Sequence, residues 1–251
     1  MLMKLQQVVA GLCFAAVTTG LFAQFSEDPH TVAPGKFLLE MDALKLSVKH
    51  EDNFKYSALG LATATVSTGI TSSLDVQVLT QLYLTQQIET SGFTDRRSGV
   101  GDIEVRTKWK FYDEGGTAVA VLPWVKFPTS SDGVGSDAVE GGVILPWSTE
   151  LPTGLKLVAQ AELGYLRNPS GTGYDTHVGF AGYASHPIIG GLGAYVEVIT
   201  DKSAGGEPFV GYMGGGLTLS VGNASWDYAW YKGISDGADD WSTVLRFNYH
   251  F

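Results

Sequence analysis

The sequence predicts an all-β fold: a transmembrane, antiparallel, up-and-down β-barrel of about twelve strands, with short periplasmic turns and longer extracellular loops. Three observations carry this reading. The chain opens on an export leader, its apolar residues then recur with a period of two, and its connections alternate between short and long.

The leader is the first element. A single early charge, Lys4, precedes an unbroken stretch of apolar and small residues from Val8 to Ala23. That layout is a secretory signal, residues 1–23, with cleavage expected after Ala23. Cys13 falls inside it, after a bulky Leu12 where a lipoprotein signal needs a small residue. Processing would remove one lysine and take the formal charge from −10 to −11, a sign that disfavours nucleic-acid partners. Residues 24–35 read as an N-terminal periplasmic extension and 36–251 as the barrel. No second apolar stretch of about 20 residues follows, so no helical span is expected.

The clearest strand is residues 99–112. Ile103, Val105, Thr107, Trp109 and Phe111 occupy one face, while Asp102, Glu104, Arg106, Lys108 and Lys110 occupy the other. Side chains alternate across a strand, so one face is apolar and the other is a ladder of charge. The same period runs through 74–84, 155–165 and 241–251. Weaker copies cover 37–48, 54–68, 117–127, 139–149, 174–185, 192–201, 209–219 and 225–234. Tight connections at 71–73, 113–116, 150–154, 186–191 and 221–225 read as periplasmic turns. Longer polar ones at 85–98, 128–137 and 235–240 read as outer loops.

Aromatic residues mark the two membrane interfaces. Trp109, Phe111, Trp147, Trp226, Tyr228, Phe247, Tyr249 and Phe251 fall at the expected periplasmic ends, and Tyr83, Tyr165, Tyr174, Phe209 and Trp241 at the outer ends. Phe251 closes the last strand with an aromatic on the lipid face, a signal expected to be read by the barrel-assembly machinery. The other expected partners are outer-membrane lipid, lipopolysaccharide and a small-molecule solute, and the expected location is the bacterial outer membrane.

Inside hydrocarbon every backbone polar group needs a partner, so the sheet must close. The expected lumen lining is Asp102, Glu104, Arg106, Lys108, Lys110, Glu140, Lys156, Glu162, Asp175, His177, Glu197 and Arg246. Acids gather toward the outer mouth and bases toward the periplasmic end. Two readings follow: an axial field that orients a dipolar solute, or charges that pair across the lumen. Gly142, Gly164, Gly179, Ala181, Gly193, Gly214 and Gly216 either keep the passage open or make room for packed neighbours.

Four motifs carry a family resemblance: Gly99-x-Gly101-Asp102, the segment Leu122 to Pro128, the segment Glu140 to Pro146, and Gly193 to Glu197. Through them the chain, over residues 36–251, resembles the outer-membrane barrels grouped as "putative MetA-pathway of phenol degradation". The resemblance implies a membrane barrel that moves small organic compounds, aromatic ones among them. The first hairpin, around His50 to Asn53, is shorter than the family pattern.

The function expected is thus passive uptake of small organic solutes; a structural or adhesive barrel without transport is the alternative, and an outer-membrane enzyme the weaker one. No serine sits at a nucleophile motif, and His177 and His250 stand apart. Asp175 and His177 share a face, a pairing that strand alternation produces often. Asp132 and Asp137 lack the spacing of a calcium loop. No catalytic residue, metal or cofactor is expected.

Overall fold

A computed structural model describes residues 26–251; the expected leader lies outside them. Thirteen strand segments follow one another: β1 Phe37–Glu51, β2 Phe54–Thr71, β3 Leu74–Thr90, β4 Phe93–Gly99, β5 Ile103–Glu114, β6 Thr117–Phe127, β7 Glu140–Glu150, β8 Lys156–Arg167, β9 Tyr174–Ile189, β10 Leu192–Ser203, β11 Val210–Val221, β12 Ala224–Gly233 and β13 Trp241–His250. Each pairs antiparallel with its neighbours. The sheet closes where β1 meets β13, from Leu38 opposite His250 to Val48 opposite Trp241.

Thirteen segments make twelve staves. The outer part of β3, Leu84–Thr90, pairs with β4, and its inner part, Leu74–Thr80, pairs with β5. β4 and β5 are therefore one stave, interrupted at Val100–Asp102. This corrects the expected outer loop at 85–98, which is instead a hairpin that extends the wall upward. The sequence signal failed there because Gln86, Gln87, Glu89, Arg96 and Arg97 are polar on both faces of a ribbon standing above the apolar band.

The strands fit their faces. On β12, Trp226, Tyr228 and Trp230 are exposed to the surrounding lipid, while Asp227, Ala229 and Tyr231 are buried in the lumen. The tight inner turns suit their residues too. Gly115 and Gly116 both hold positive φ, 60° and 78°, as a two-residue hairpin turn with the right twist requires.

One feature breaks the period. In β1 the buried faces are Asp42 and then Ser47, so the inward phase changes between them. The change sits at Ala43, a bulge residue relative to β13. Ala62 of β2 lies opposite Ala43, and the inward phase of β2 changes there as well, from Tyr56 and Gly60 to Thr63 and Thr65. Ala62 adopts a left-handed φ of 52°. Continuing the register, Leu82 of β3 lies opposite Ala62: Gln77 and Leu79 are buried before it and Leu84 after it. Gly101 follows on the next stave, where β4 gives way to β5 and Gly101 N donates to Gln81 O at 2.8 Å. A single line of phase change thus crosses four neighbouring staves.

Candidate functional site

The lumen is the candidate site. Along β10, β11 and β12, the inward face is built by rings laid over glycines. Tyr195 covers Gly216, and Tyr231 covers Gly214; a methyl at Gly216 would come within 2.7 Å of the Tyr195 hydroxyl. Trp124 of β6 likewise lies over Gly142 of β7, its Nε1 2.8 Å from where a Cβ would stand. Both readings of these small residues are seen: Gly142, Gly193, Gly214 and Gly216 make room for packed neighbours, while Gly164, Gly179 and Ala181 line open luminal space. Tyr183, Tyr195, Tyr212 and Tyr231 form the buried inner cluster, with Val244 of β13.

The charged wall is organised differently, and residues outside the sheet complete it. The chain preceding β1 enters at the periplasmic rim, where Gly35 N donates to Gly69 O at 2.9 Å, and Val32 N donates to Asp75 at 3.1 Å. It then runs up inside the barrel. Asp28 faces Lys156 and accepts from His30 Nδ1 at 2.6 Å, while its carbonyl accepts from Lys108 Nζ at 2.7 Å. Glu27 accepts from Arg106 Nη1 at 2.7 Å and lies 3.4 Å from Lys108 Nζ. The backbone N–H of Glu27 donates to Gln160 Oε1 at 2.6 Å. Highest of all, Ser26 donates from both its N–H and its hydroxyl to Glu197 Oε1, each at 2.9 Å. The other Glu197 oxygen accepts from Tyr231 Oη at 2.6 Å. The segment expected to extend into the periplasm, from Ser26 onward, lies in the lumen.

Burial would push the Glu27 carboxyl up, yet Lys108 and Arg106 reverse this and hold it below the ordinary carboxylate range. Asp28 behaves alike: burial opposes its charge, and the contacts with His30 and Lys156 outweigh burial and lower it. Both acids are therefore ionised at neutral pH.

The twelve expected lining residues divide into three sets. Glu104, Arg106, Lys108, Lys156, Glu162, His177 and Glu197 surround the N-terminal segment and the space above it. Two more serve the outer loops: Asp102 accepts from Thr129 N and Ser130 N, both at 2.9 Å, and Glu140 accepts from Arg167 N at 2.7 Å while facing Lys126. The remainder are two residues at the rims and one on the β13 wall across the segment. Lys110 meets Asp113 at the inner rim, Asp175 sits against Gly205 at the outer rim, and Arg246 pairs with Asp42 at 2.6 Å. His177 bonds Asp201 at 3.0 Å rather than Asp175. Of the two readings of the lumen charges, pairing describes most of them. Sequence reasoning missed Glu27, Asp28 and Gln160. The signal available was the pair of acids immediately after the leader, opposite a strand carrying three bases.

Two spaces flank the segment. One of about 790 Å³ is lined by Glu27, Glu104, Arg106, Trp124, Glu162 and His177, with Ile144, Leu166 and Ile199 supplying apolar wall. The other, about 500 Å³, lies on the β1–β2 side between Ser26–Asp28 and Glu40, Asp42 and Arg246. Among the described residues no group of three or more His, Cys, Asp or Glu side chains is placed to hold a metal ion.

Trp109 and Phe111 are 53% and 52% exposed, and Trp226, Phe247, Tyr249 and Phe251 form a continuous outer ladder with neighbouring centroids 4.7–6.3 Å apart. Tyr165 stacks on Tyr174 toward the opposite rim at 4.9 Å. Trp147 and Trp241 are half-buried on the same outward face.

The family profile described as "Putative MetA-pathway of phenol degradation" matches residues 23–251. Among solved structures, the chain is similar to the COG4313 outer membrane channel from Pseudomonas putida F1, at 11% identity and a TM-score of 0.69, covering 89% of this chain and 98% of that one. The transport unit of the autotransporter AIDA-I from Escherichia coli matches at 12% identity and a TM-score of 0.61, covering 98% and 97%. The monoaromatic hydrocarbon channel CymD matches at 8% identity and a TM-score of 0.50, covering 87% and 88%. No curated protein matches the chain. At these identities the solved structures establish the fold: a closed outer-membrane β-barrel.

Proposed function

We propose, because the chain belongs to the family described as "Putative MetA-pathway of phenol degradation", that it is an outer-membrane channel for passive uptake of small organic solutes, hydrophobic and aromatic ones among them. One observation carries the reading: the larger luminal space sets a charged side (Glu27, Glu104, Arg106, Glu162, His177, Asp201) against the apolar surfaces of Trp124, Ile144, Leu166 and Ile199. A concave wall that offers apolar surface together with fixed polar groups suits amphiphilic small molecules. Two structural neighbours are described as channels, one of them for monoaromatic hydrocarbons, which supports the same direction. The surplus of acids at the outer mouth favours neutral or cationic solutes over anions.

Liposome swelling tests the proposal. Reconstituted protein should admit phenol-sized neutral solutes faster than empty liposomes do. Swelling equal to that of empty liposomes, with correctly folded barrel, would favour the structural or adhesive alternative. A reversal potential under a salt gradient should show a modest cation preference at low salt, and an anion preference would remove that part.

A further inference from the structure

Residues 26–31 are not a strand, a turn or a cap, yet their contacts reach β5, β8 and β10, and Val32 beside them reaches β3. We propose that this segment is a tethered stopper for the lumen, held by a carboxylate latch, and that release of the latch opens the barrel. The inference rests on the channel reading for its purpose, though not for its geometry.

The argument begins with how the segment is held. Residues 26–31 have one isolated bridge nearby, Pro34 to Gly69, and otherwise no backbone ladder with the wall. A backbone outside any ladder is held by what its side chains and a few N–H groups reach. Here those include two carboxylates on three bases, one serine on one buried carboxylate, the N–H of Glu27 on Gln160, the Asp28 carbonyl under Lys108, the Thr31 hydroxyl on Ser72 O and the buried ring of Pro29, with Val32 N on Asp75 next to them. Unlike a strand, such an attachment can be lost without breaking the sheet. The barrel is closed by β1 and β13 independently of it.

The position of the segment gives the consequence. Glu27 floors the larger space, and Ser26–Asp28 also wall the smaller one, so the segment separates the two. With it docked, a solute entering from outside meets Glu27 and the bases it occupies. With it withdrawn, the two spaces become one passage lined by Arg106, Lys108, Lys156, Glu40 and Asp42. The tether ends at Lys36 beside Gly69, at the periplasmic rim, so withdrawal is toward the periplasm.

The latch is electrostatic, and this sets the way to undo it. Removing both carboxylates leaves Arg106, Lys108 and Lys156 facing only neutral atoms of the segment, and for the buried Arg106 and Lys108 the loss of that partner disfavours the docked arrangement. Strong salt acts on the same contacts, since the screening length falls to about 3 Å at 1 M.

The test uses the full chain with Cys13→Ala, reconstituted in liposomes, and a thiol introduced as Ser26→Cys. A membrane-impermeant maleimide reports whether residue 26 is reachable. The expected result is slow labelling in the parent. Labelling should be at least about tenfold faster when Glu27→Gln and Asp28→Asn are added, the ratio that 1.4 kcal/mol of lost docking produces. Labelling of the parent should also quicken in 1 M KCl. Equal rates in parent and double variant, with both migrating as folded barrels before heating, would overturn the stopper. Swelling, measured on the same samples, separates the two readings. Faster labelling with no swelling in any variant keeps the stopper and refutes the channel, while faster labelling with faster swelling supports both.

Discussion

The two sides of the barrel obey different rules of alternation. From β6 round to β13 each strand keeps one inward phase from end to end: Ala118, Ala120, Leu122 and Trp124 on β6, and Ser242, Val244 and Arg246 on β13, are all buried. From β1 to the β4–β5 stave every strand changes phase, on one line through Ala43, Ala62, Leu82 and Gly101. The difference teaches that a strand's period and its phase are separate properties. A single bulge residue leaves the period intact on both sides while exchanging the faces beyond it. Because neighbours change together, the register from β1 to β2 and from β2 to β3 runs unbroken across the line, and the link from β1 to β13 absorbs a shift there.

The largest test of this comparison is a deletion. Removing Ala43 alone should turn the outer half of β1 over and carry Lys45 and Lys49 onto the lipid face. A lysine near the bilayer midplane costs about 2–4 kcal/mol, less toward the rim, so folding into lipid vesicles should fail or fall severely. An undiminished folded fraction would mean that Ala43 does not set the phase. Next is Val105→Arg on β5, whose partner across the ladder is Val125. It should cost about 2–4 kcal/mol in a folding titration, while Glu104→Gln beside it leaves folding intact.

A smaller effect is expected at Ala62. Its left-handed backbone costs an L-residue about 1–2 kcal/mol, and glycine relieves that while surrendering about 0.5–1 kcal/mol of chain entropy. Ala62→Gly should thus stabilise the barrel by about 0.5 kcal/mol in the same titration, whereas Ala64→Gly, two residues on in the same strand, should destabilise it. The smallest effect concerns pH. Glu27 and Asp28 both have lowered values in the docked state, so their contribution is complete above the ordinary carboxyl value of about 4 and is lost only as pH falls through the depressed ones. A spin label at Ser26→Cys should therefore keep the same restricted motion at pH 7 and pH 5 and gain mobility only in stronger acid. Release between pH 7 and 5 would show that the latch is not made by these two acids.

How much was legible follows from the same contrast. The alternation of residues 103–111 and of 241–249 reads directly, because neither contains a phase change. Residues 37–48 and 54–68 gave only weak patterns since each straddles one, and a window that averages across Ala43 or Ala62 cancels its own signal. The hairpin at 85–98 shows no strand signal in the sequence, because nothing on it needs to face lipid. In the lumen, alternation located Glu104, Arg106, Lys108 and Glu197 on the inward side but could not say what they meet. Glu197 meets Ser26, 171 positions away in the chain, and such a contact leaves no trace in a two-residue period. The glycines of β11 were legible as small and inward, while the rings that cover them come from β10 and β12.

Those borrowed rings have a kinetic consequence. Gly214, Gly215 and Gly216 leave the middle of β11 with no side chain on either face, and Tyr195 and Tyr231 reach over it from the two flanking strands. Lifting β11 out of the sheet would require both rings to move, and moving either uncovers the buried carboxylate of Asp227 or Glu197 to which it is bonded. The three strands should accordingly open together or not at all. Their amide protons would exchange with solvent as one cooperative block, later than those of the β3–β4 hairpin that stands above the rim.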